Sequence, residues 1–420
     1  MTFINSYLKH LPTALLCSVI AACGSGSNSS SENSTGVKDL CSQTVEGVNW
    51  EALLTENCPN LSDYNLFADP TDPTGEANSD GIPYSLSTPL FTDYATKYRY
   101  VFVPEGKSAT YSDNEVMEFP VGSVLVKTFS LPEDTSQRGI NETHIETRIL
   151  INRADGWVAL PYYWETTEDA KLLISGKTIS NVTITHNNEQ MTFDYGVPQA
   201  SQCTSCHSVI PMLTGPEDTR QAIFKPIGPK ARYLNFDYEY TEHTMNQLSH
   251  WSAQGILTGA PNDKTTIDTA PILKDETSID TIIAAGELDV TARAYLDINC
   301  AHCHRSELTL PEPNYAGPAG DSGLNLEFNR DYDENPARFG VCKTAVAGGS
   351  DDEDEDGQPD YPRDVIPGYA DKSYLWFRMN TTDPRHKMPE LGRSTIHAEG
   401  VELIKEWINS LPQDDCGLDL

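Results

Sequence analysis

Cys203-Thr204-Ser205-Cys206-His207 and Cys300-Ala301-His302-Cys303-His304 are two Cys-x-x-Cys-His runs in a chain of 420 residues. Each is the attachment signal of a c-type haem. Two thiols add across the haem vinyl groups and fix the porphyrin plane, and only the next-door imidazole is then placed to reach the iron. A four-thiolate zinc ribbon also uses paired Cys-x-x-Cys, but it sets its pairs roughly 15–20 residues apart. These pairs lie almost a hundred residues apart, and each is followed by His. The motifs predict two covalently bound haem c groups, attached at Cys203, Cys206, Cys300 and Cys303, with His207 and His304 as proximal iron ligands.

The flanks of the second motif read as helices. Val290 to Asn299 runs into it, with Ala294 and Leu296 among its small and apolar positions. Near the C-terminus Val401, Ile404, Ile408 and Leu411 form one stripe, widened by Trp407 and stopped at Pro412. A helix entering the motif and a closing amphipathic helix are the two that cross in a small cytochrome c domain, so residues 287–420 read as a second cytochrome c domain with an acidic insertion. Residues 199–286 form the first haem region, where Thr244 to Leu257 reads as a helix with Leu248, Trp251 and Ile256 inward. Residues 40–198 read as β-rich. Tyr98, Tyr100 and Phe102 alternate with Arg99, Val101 and Val103, and Val124 to Phe129 is a further strand-like run. Asp155-Gly156 turns a hairpin, and Asn187-Asn188 another. The expected fold class is α+β: an N-terminal antiparallel β sandwich or barrel-like domain, then a mainly α-helical dihaem region of cytochrome c type. Asp93, His144 and Glu146 read as solvated polar residues of the β-rich part.

A haem that transfers electrons without binding substrate needs a sixth ligand. For the second haem the candidate is Met388, in Lys387-Met388-Pro389 ahead of the closing helix; Met379 reads as core. For the first haem the possible distal ligands are Met212, Met245, His243 and His250, with Met245 slightly ahead of His250. Met212 is too close to His207, and the remaining possibility is an open iron site. Asp352 to Asp360 matches the start of a D-x-D-x-D-G calcium loop, but Arg363 stands where an EF-hand places its bidentate Glu. A solvated acidic loop is therefore preferred to calcium at 352–360.

C-haem attachment requires export, and the N-terminus suits it. Lys9 and His10 precede a short apolar run from Leu11 to Ala22, too brief to span a membrane. Ile20-Ala21-Ala22-Cys23 resembles a bacterial lipobox. Residues 1–22 then form a lipoprotein signal peptide, Cys23 the lipid anchor, and 23–39 a Gly/Ser/Asn tether. Gly24, rather than Asp, points to the outer membrane, so the expected location is the bacterial cell envelope, lipid-anchored and facing the periplasm. Four further cysteines remain: Cys41–Cys58 is the local disulfide pairing, and Cys342–Cys416 would staple the C-terminal tail. With 29 basic against 62 acidic residues, a net charge of −33 excludes nucleic acid as a partner. It suits periplasmic redox proteins with a basic docking face.

Leu61-Ser62-Asp63-Tyr64, Thr88-Pro89-Leu90-Phe91-Thr92-Asp93-Tyr94-Ala95, Ala154-Asp155-Gly156-Trp157, Gln202-Cys203, Ile227-Gly228-Pro229-Lys230-Ala231-Arg232, Asn246-Gln247-Leu248 and Met388-Pro389-Glu390-Leu391-Gly392-Arg393-Ser394 resemble the SO2930 family of dihaem c-type cytochromes, over roughly residues 40–415. The resemblance implies a dihaem protein and, as a partner, a parallel β-helix repeat protein; it implies no substrate. The expected function is electron relay in the periplasm. The alternatives are a dihaem peroxidase or oxidase with an open first haem, and a recognition lipoprotein whose haems are structural or sensory.

Overall fold

Side-chain alternation shapes the first half of the chain. In the computed structural model, Ile82–Pro83 (β1), Thr96–Phe102 (β2), Ala109–Thr110 (β3), Val124–Leu131 (β4), Thr143–Arg153 (β5), Gly156–Trp164 (β6), Ala170–Leu172 (β7), Lys177–His186 (β8) and Glu189–Val197 (β9) are strands. Six of them form one antiparallel sheet in the order β1-β2-β4-β5-β6-β7, and β8 and β9 form a separate hairpin. Successive residues point to opposite faces. Tyr100, Phe102, Val124, Val126, Ile149, Ile151 and Tyr162 face one way, onto the short helix Trp50–Thr55 (α1) and the segment around Leu61 and Tyr64. On the other face Phe129 and Leu131 meet the β8–β9 hairpin, and Val101 and Leu125 meet the region after residue 230.

The described residues are 39–79, 81–211, 221–305, 315–330, 333, 335–346 and 360–420. The signal peptide, Cys23, nearly all of the tether, Met212 and the acidic stretch 352–359 lie outside them, and so do the lipid anchor and calcium readings. Leu40–Leu420 form one compact unit. No helix among the described residues is long and apolar enough to cross a membrane.

The α+β class and the large antiparallel sheet are present. What covers the sheet is not a second large sheet, however. α1 and the chain around it cover one face, and a hairpin and irregular chain cover the other. Alternation marks two buried faces but says nothing about what buries them. The second half holds short helices separated by long connections: Thr204–His207 (α2), Ala231–Leu234 (α3), Gln247–Ala253 (α4), Ile279–Ala285 (α5), Leu288–Asn299 (α6), Tyr374–Met379 (α7) and Ala398–Ser410 (α8). α6 and α8 pack on each other, with Tyr295 and Leu296 against Leu403, Ile404, Trp407 and Ile408; Met379 joins this core. A Cβ at Gly400 would overlap the Tyr295 hydroxyl, so glycine permits the close approach of the two helices. Trp407 Nε1 donates to Asp289 Oδ1 at 3.0 Å across the same contact. Ala294 and Ile298 of α6 reach instead into the core beneath the sheet, so apolar packing runs across residues 198–199 and 286–287.

Disulfides join Cys41 to Cys58 and Cys342 to Cys416.

Candidate functional site

The first motif follows β9 through one 3-10 turn, Ala200–Cys203, into the single-turn helix α2. The second lies at the C-terminal end of α6, where His304 N bonds Cys300 O at 2.9 Å. One helical turn brings cysteines three apart to the same side. The strand leaving the first motif, Ser208–Pro211 (β10), pairs with Ile223–Phe224 (β11). After three further short strands, Asp237–Glu239 (β12), Thr244–Asn246 (β13) and Leu257–Thr258 (β14), comes Tyr315–Ala316 (β15), which pairs with the other edge of β10. β15 in turn is held to the second motif. Gly317 N bonds Arg305 O at 3.0 Å, and Ala319 N bonds Cys303 O at 3.1 Å. A Cβ at Gly317 would overlap the Cys303 carbonyl.

This pairing sets the two motifs side by side. Cys206 Sγ, a His302 ring nitrogen and Cys303 Sγ lie within 4.8 Å of one another, and Cys303 Sγ is 3.6 Å from Ser205 O. All four motif cysteines are free thiols, whereas Cys41, Cys58, Cys342 and Cys416 are bonded in pairs.

Each proximal-ligand candidate is held by one ring nitrogen. His207 Nδ1 donates to Lys225 O at 2.7 Å, and its ring stacks on Phe224 with centroids 4.7 Å apart. His304 Nδ1 bonds Ser322 Oγ at 2.9 Å. Such an outer contact fixes the ring and leaves Nε2 for a metal. Burial pushes the His207 imidazole down to about 3 and the His304 imidazole down to about 4, so both rings are neutral, the form that ligates.

A cleft of about 190 Å³ opens at Cys203, Cys206 and His207. Its walls come from the sheet (Leu125, Leu150, Ala159 and Pro161), from Ile227–Pro229, and from Pro389, Leu391 and Gly392. His302 also lines it, with a buried Nδ1 that has no hydrogen-bond partner among the described residues, and so does Arg99, with a buried Nη2 in the same condition. An apolar slot beside two thiols and a neutral, oriented imidazole fits a haem held covalently at the first motif. The free thiols and oriented His304 fit a second.

Met388 is half-buried in a firmly tied loop. Its N donates to Arg378 O at 2.8 Å, and buried Arg393 donates to Met388 O at 3.0 Å and to the carbonyls of Thr395, Arg378 and Thr381. Asp93 ties the same loop to the β-rich part, accepting from Ser394 N at 2.7 Å and Thr395 N at 2.8 Å. Asp93 is thus buried, not solvated, and it satisfies backbone donors that would otherwise be orphaned. Glu146 is fully buried between Arg148 and Tyr195, and His144 is half-buried on Ser130; both depart from the solvated reading.

Met245 and His250 do not line the cleft. Met245 is exposed on β13, opposite Tyr238. The helix starts only at Gln247, because Asn246 caps it by accepting from Ser249 N. α4 buries Leu248 and Trp251 against the sheet-side core, which turns His250 toward the hairpin. There it stacks on Tyr240, centroids 3.8 Å apart, and bonds His243 at 3.2 Å. Sequence reading passed over His302, Arg99, Lys127 and Arg148. The one available signal was Lys127, a lone charge inside an apolar strand.

No protein-family model, curated protein or solved structure matches this chain.

Proposed function

We propose that the protein is a dihaem c-type cytochrome that relays electrons between periplasmic redox partners. One observation carries this reading: the two attachment motifs touch, with Cys206 and Cys303 at the point of contact. Bound there, haem would supply one-electron iron chemistry. The chain's own part is to attach through Cys203, Cys206, Cys300 and Cys303, to present Nε2 of His207 and His304, and to close an apolar cleft around the first site. The crossing of α6 and α8 supports a cytochrome c-like arrangement for the C-terminal part. The two disulfides suit an oxidising envelope compartment, with Cys23 as lipid anchor at the outer membrane. The acidic surface suits partners with a basic docking face, and the resemblance to the SO2930 family adds a parallel β-helix repeat protein as a candidate.

Mass spectrometry of the denatured, exported protein is expected to show the mass of two covalent haems, and haem staining should follow the band on a denaturing gel. A haem-free chain carrying zinc would overturn the reading. Met388→Ala is expected to lower one of the two midpoint potentials, since a thioether ligand raises potential, while Met379→Ala leaves both in place. Unchanged potentials in Met388→Ala would remove Met388 as a ligand.

A second reading, a dihaem peroxidase or oxidase, is favoured by the cleft itself. Pro389, Leu391 and Gly392 line it, and neither Met245 nor His250 reaches it. A high-spin ferric EPR signal that shifts on adding cyanide or peroxide would select this reading over relay; low-spin signals alone would select relay.

A further inference from the structure

The sheet face that lines the cleft carries a row of cations. Arg99 of β2 is opposite Lys127 of β4, and Lys127 is opposite Arg148 of β5. All three line the cleft. Like charges directly opposite each other on a sheet destabilise it, and in a chain of net charge −33 composition does not account for them. One has its counter-ion: Arg148 Nε donates to Glu146 Oε2 at 2.8 Å and Nη2 to Oε1 at 2.5 Å. Among the described residues the other two do not. Arg99, only 6% exposed, donates from Nη1 to Lys97 O at 3.3 Å, and its Nη2 is buried with no partner. Lys127 Nζ rests 4.7 Å from the Phe129 ring centroid and has no hydrogen bond or ion pair among the described residues. Burial, then the neighbouring Arg99 and Arg148 charges, push the Lys127 ammonium well below its ordinary range, the response of a cation set without a counter-charge.

The next row on the same face is aliphatic. Leu125 is opposite Leu150, and Leu150 is opposite Ala159. The cleft therefore has an apolar floor with two uncompensated cations along one side. It is complementary to a flat apolar body with two carboxylates on one edge.

We propose that Arg99 and Lys127, with Arg148 positioned beside them by Glu146, hold the two propionates of the haem attached at Cys203 and Cys206. This rests on the dihaem reading above and deepens it. The β-rich part becomes a wall of the first haem site, and its cations set the electrostatic field in which that iron is reduced.

Removing a positive charge beside the site disfavours the added electron. Redox titration of the holoprotein therefore tests the proposal without any assay of activity. Lys127→Gln is expected to lower one midpoint potential by about 59 mV, a tenfold change in a one-electron equilibrium. Arg99→Gln should move the same potential the same way, and Lys127→Arg should leave it near the parent value. Lys127 Nζ donates no hydrogen bond among the described residues, so the Gln variant leaves none of their acceptors unpaired. In a Cys203→Ala/Cys206→Ala background, which keeps only the second haem, Lys127→Gln should shift nothing. The proposal is overturned if both Gln variants retain two haems by mass and leave both potentials unchanged, or if the shift persists in the single-haem background. A parent protein with no covalent haem would instead defeat the dihaem reading itself, and the haem count made on each preparation separates the two failures.

Discussion

Replacing Cys203 and Cys206 together by serine is expected to yield a chain with one covalent haem instead of two and markedly lower stability. Denatured-mass analysis should show the loss of one haem. The stability cost follows from the cleft. The apolar walls at Leu125, Leu150 and Leu391 would face water in place of the cofactor surface packed on them, which removes burial worth roughly 25 cal/mol per Å². Urea unfolding followed by tryptophan fluorescence is the natural readout, because Trp251 is buried in the core that shares Leu125 with the cleft wall. A double variant that kept both haem equivalents would show that the first motif does not attach haem, and one that lost a haem but matched the parent midpoint would show that the occupant does not support the cleft walls.

Asp297→Asn is expected to be nearly as damaging for a different reason. Asp297 is buried near the end of α6. It accepts from Lys230 Nζ at 2.9 Å, from Tyr233 Oη at 2.7 Å and from Phe328 N at 3.2 Å, with Arg232 Nη1 at 3.4 Å. The amide would leave Lys230 and Arg232 as buried cations without a counter-charge, a loss of about 3–5 kcal/mol at neutral pH. The pH dependence has a definite sign. Burial alone would raise the Asp297 pKa, but the charges of Lys230 and Arg232 outweigh it and bring the pKa down to about 2. A carboxylate depressed in the folded state contributes stability above its unfolded pKa and loses it as pH falls toward the folded value. The parent should lose roughly 2 kcal/mol from this group between about pH 4 and pH 2. The difference between parent and variant should therefore narrow in that window. A constant difference down to pH 2, or one below 1 kcal/mol at pH 7, would count against this role.

The motif cysteines and Asp297 mark the limits of what the sequence makes legible. The motif cysteines are plain because attachment chemistry demands a fixed local spacing. The strand alternation around Tyr100 and the stripe of Val401, Ile404 and Ile408 are plain because burial imposes a period on neighbouring residues. Asp297, by contrast, looks like any helix carboxylate until Lys230 and Arg232 arrive from about 65 residues away. The cation row is legible only after register is known, since Arg99, Lys127 and Arg148 come from three strands joined by loops of different length. The contact of the two motifs depends on β10 and β15, of four and two residues, too short to carry any period. The helix read over Thr244 to Leu257 begins late because Asn246 prefers a cap to a helix interior. That local preference leaves Met245 on β13 while His250 stays on α4, and neither lines the cleft.

The walls of the cleft have a consequence for how the protein is made. They are drawn from residues between Tyr84 and Gly392, so the site stays open for most of the time the chain is being synthesised. A chain exported N-terminus first would deliver both thiols of the first motif to the compartment of attachment before Pro389 and Leu391 arrive there. An attachment catalyst would meet an unfinished slot, wide enough for a planar cofactor to be threaded in and bonded. The last wall then arrives with the loop that carries Met388, and Asp93 latches it from the opposite end of the chain. On the proposed dihaem reading, this topology would favour attachment of the cofactor before closure of the cleft.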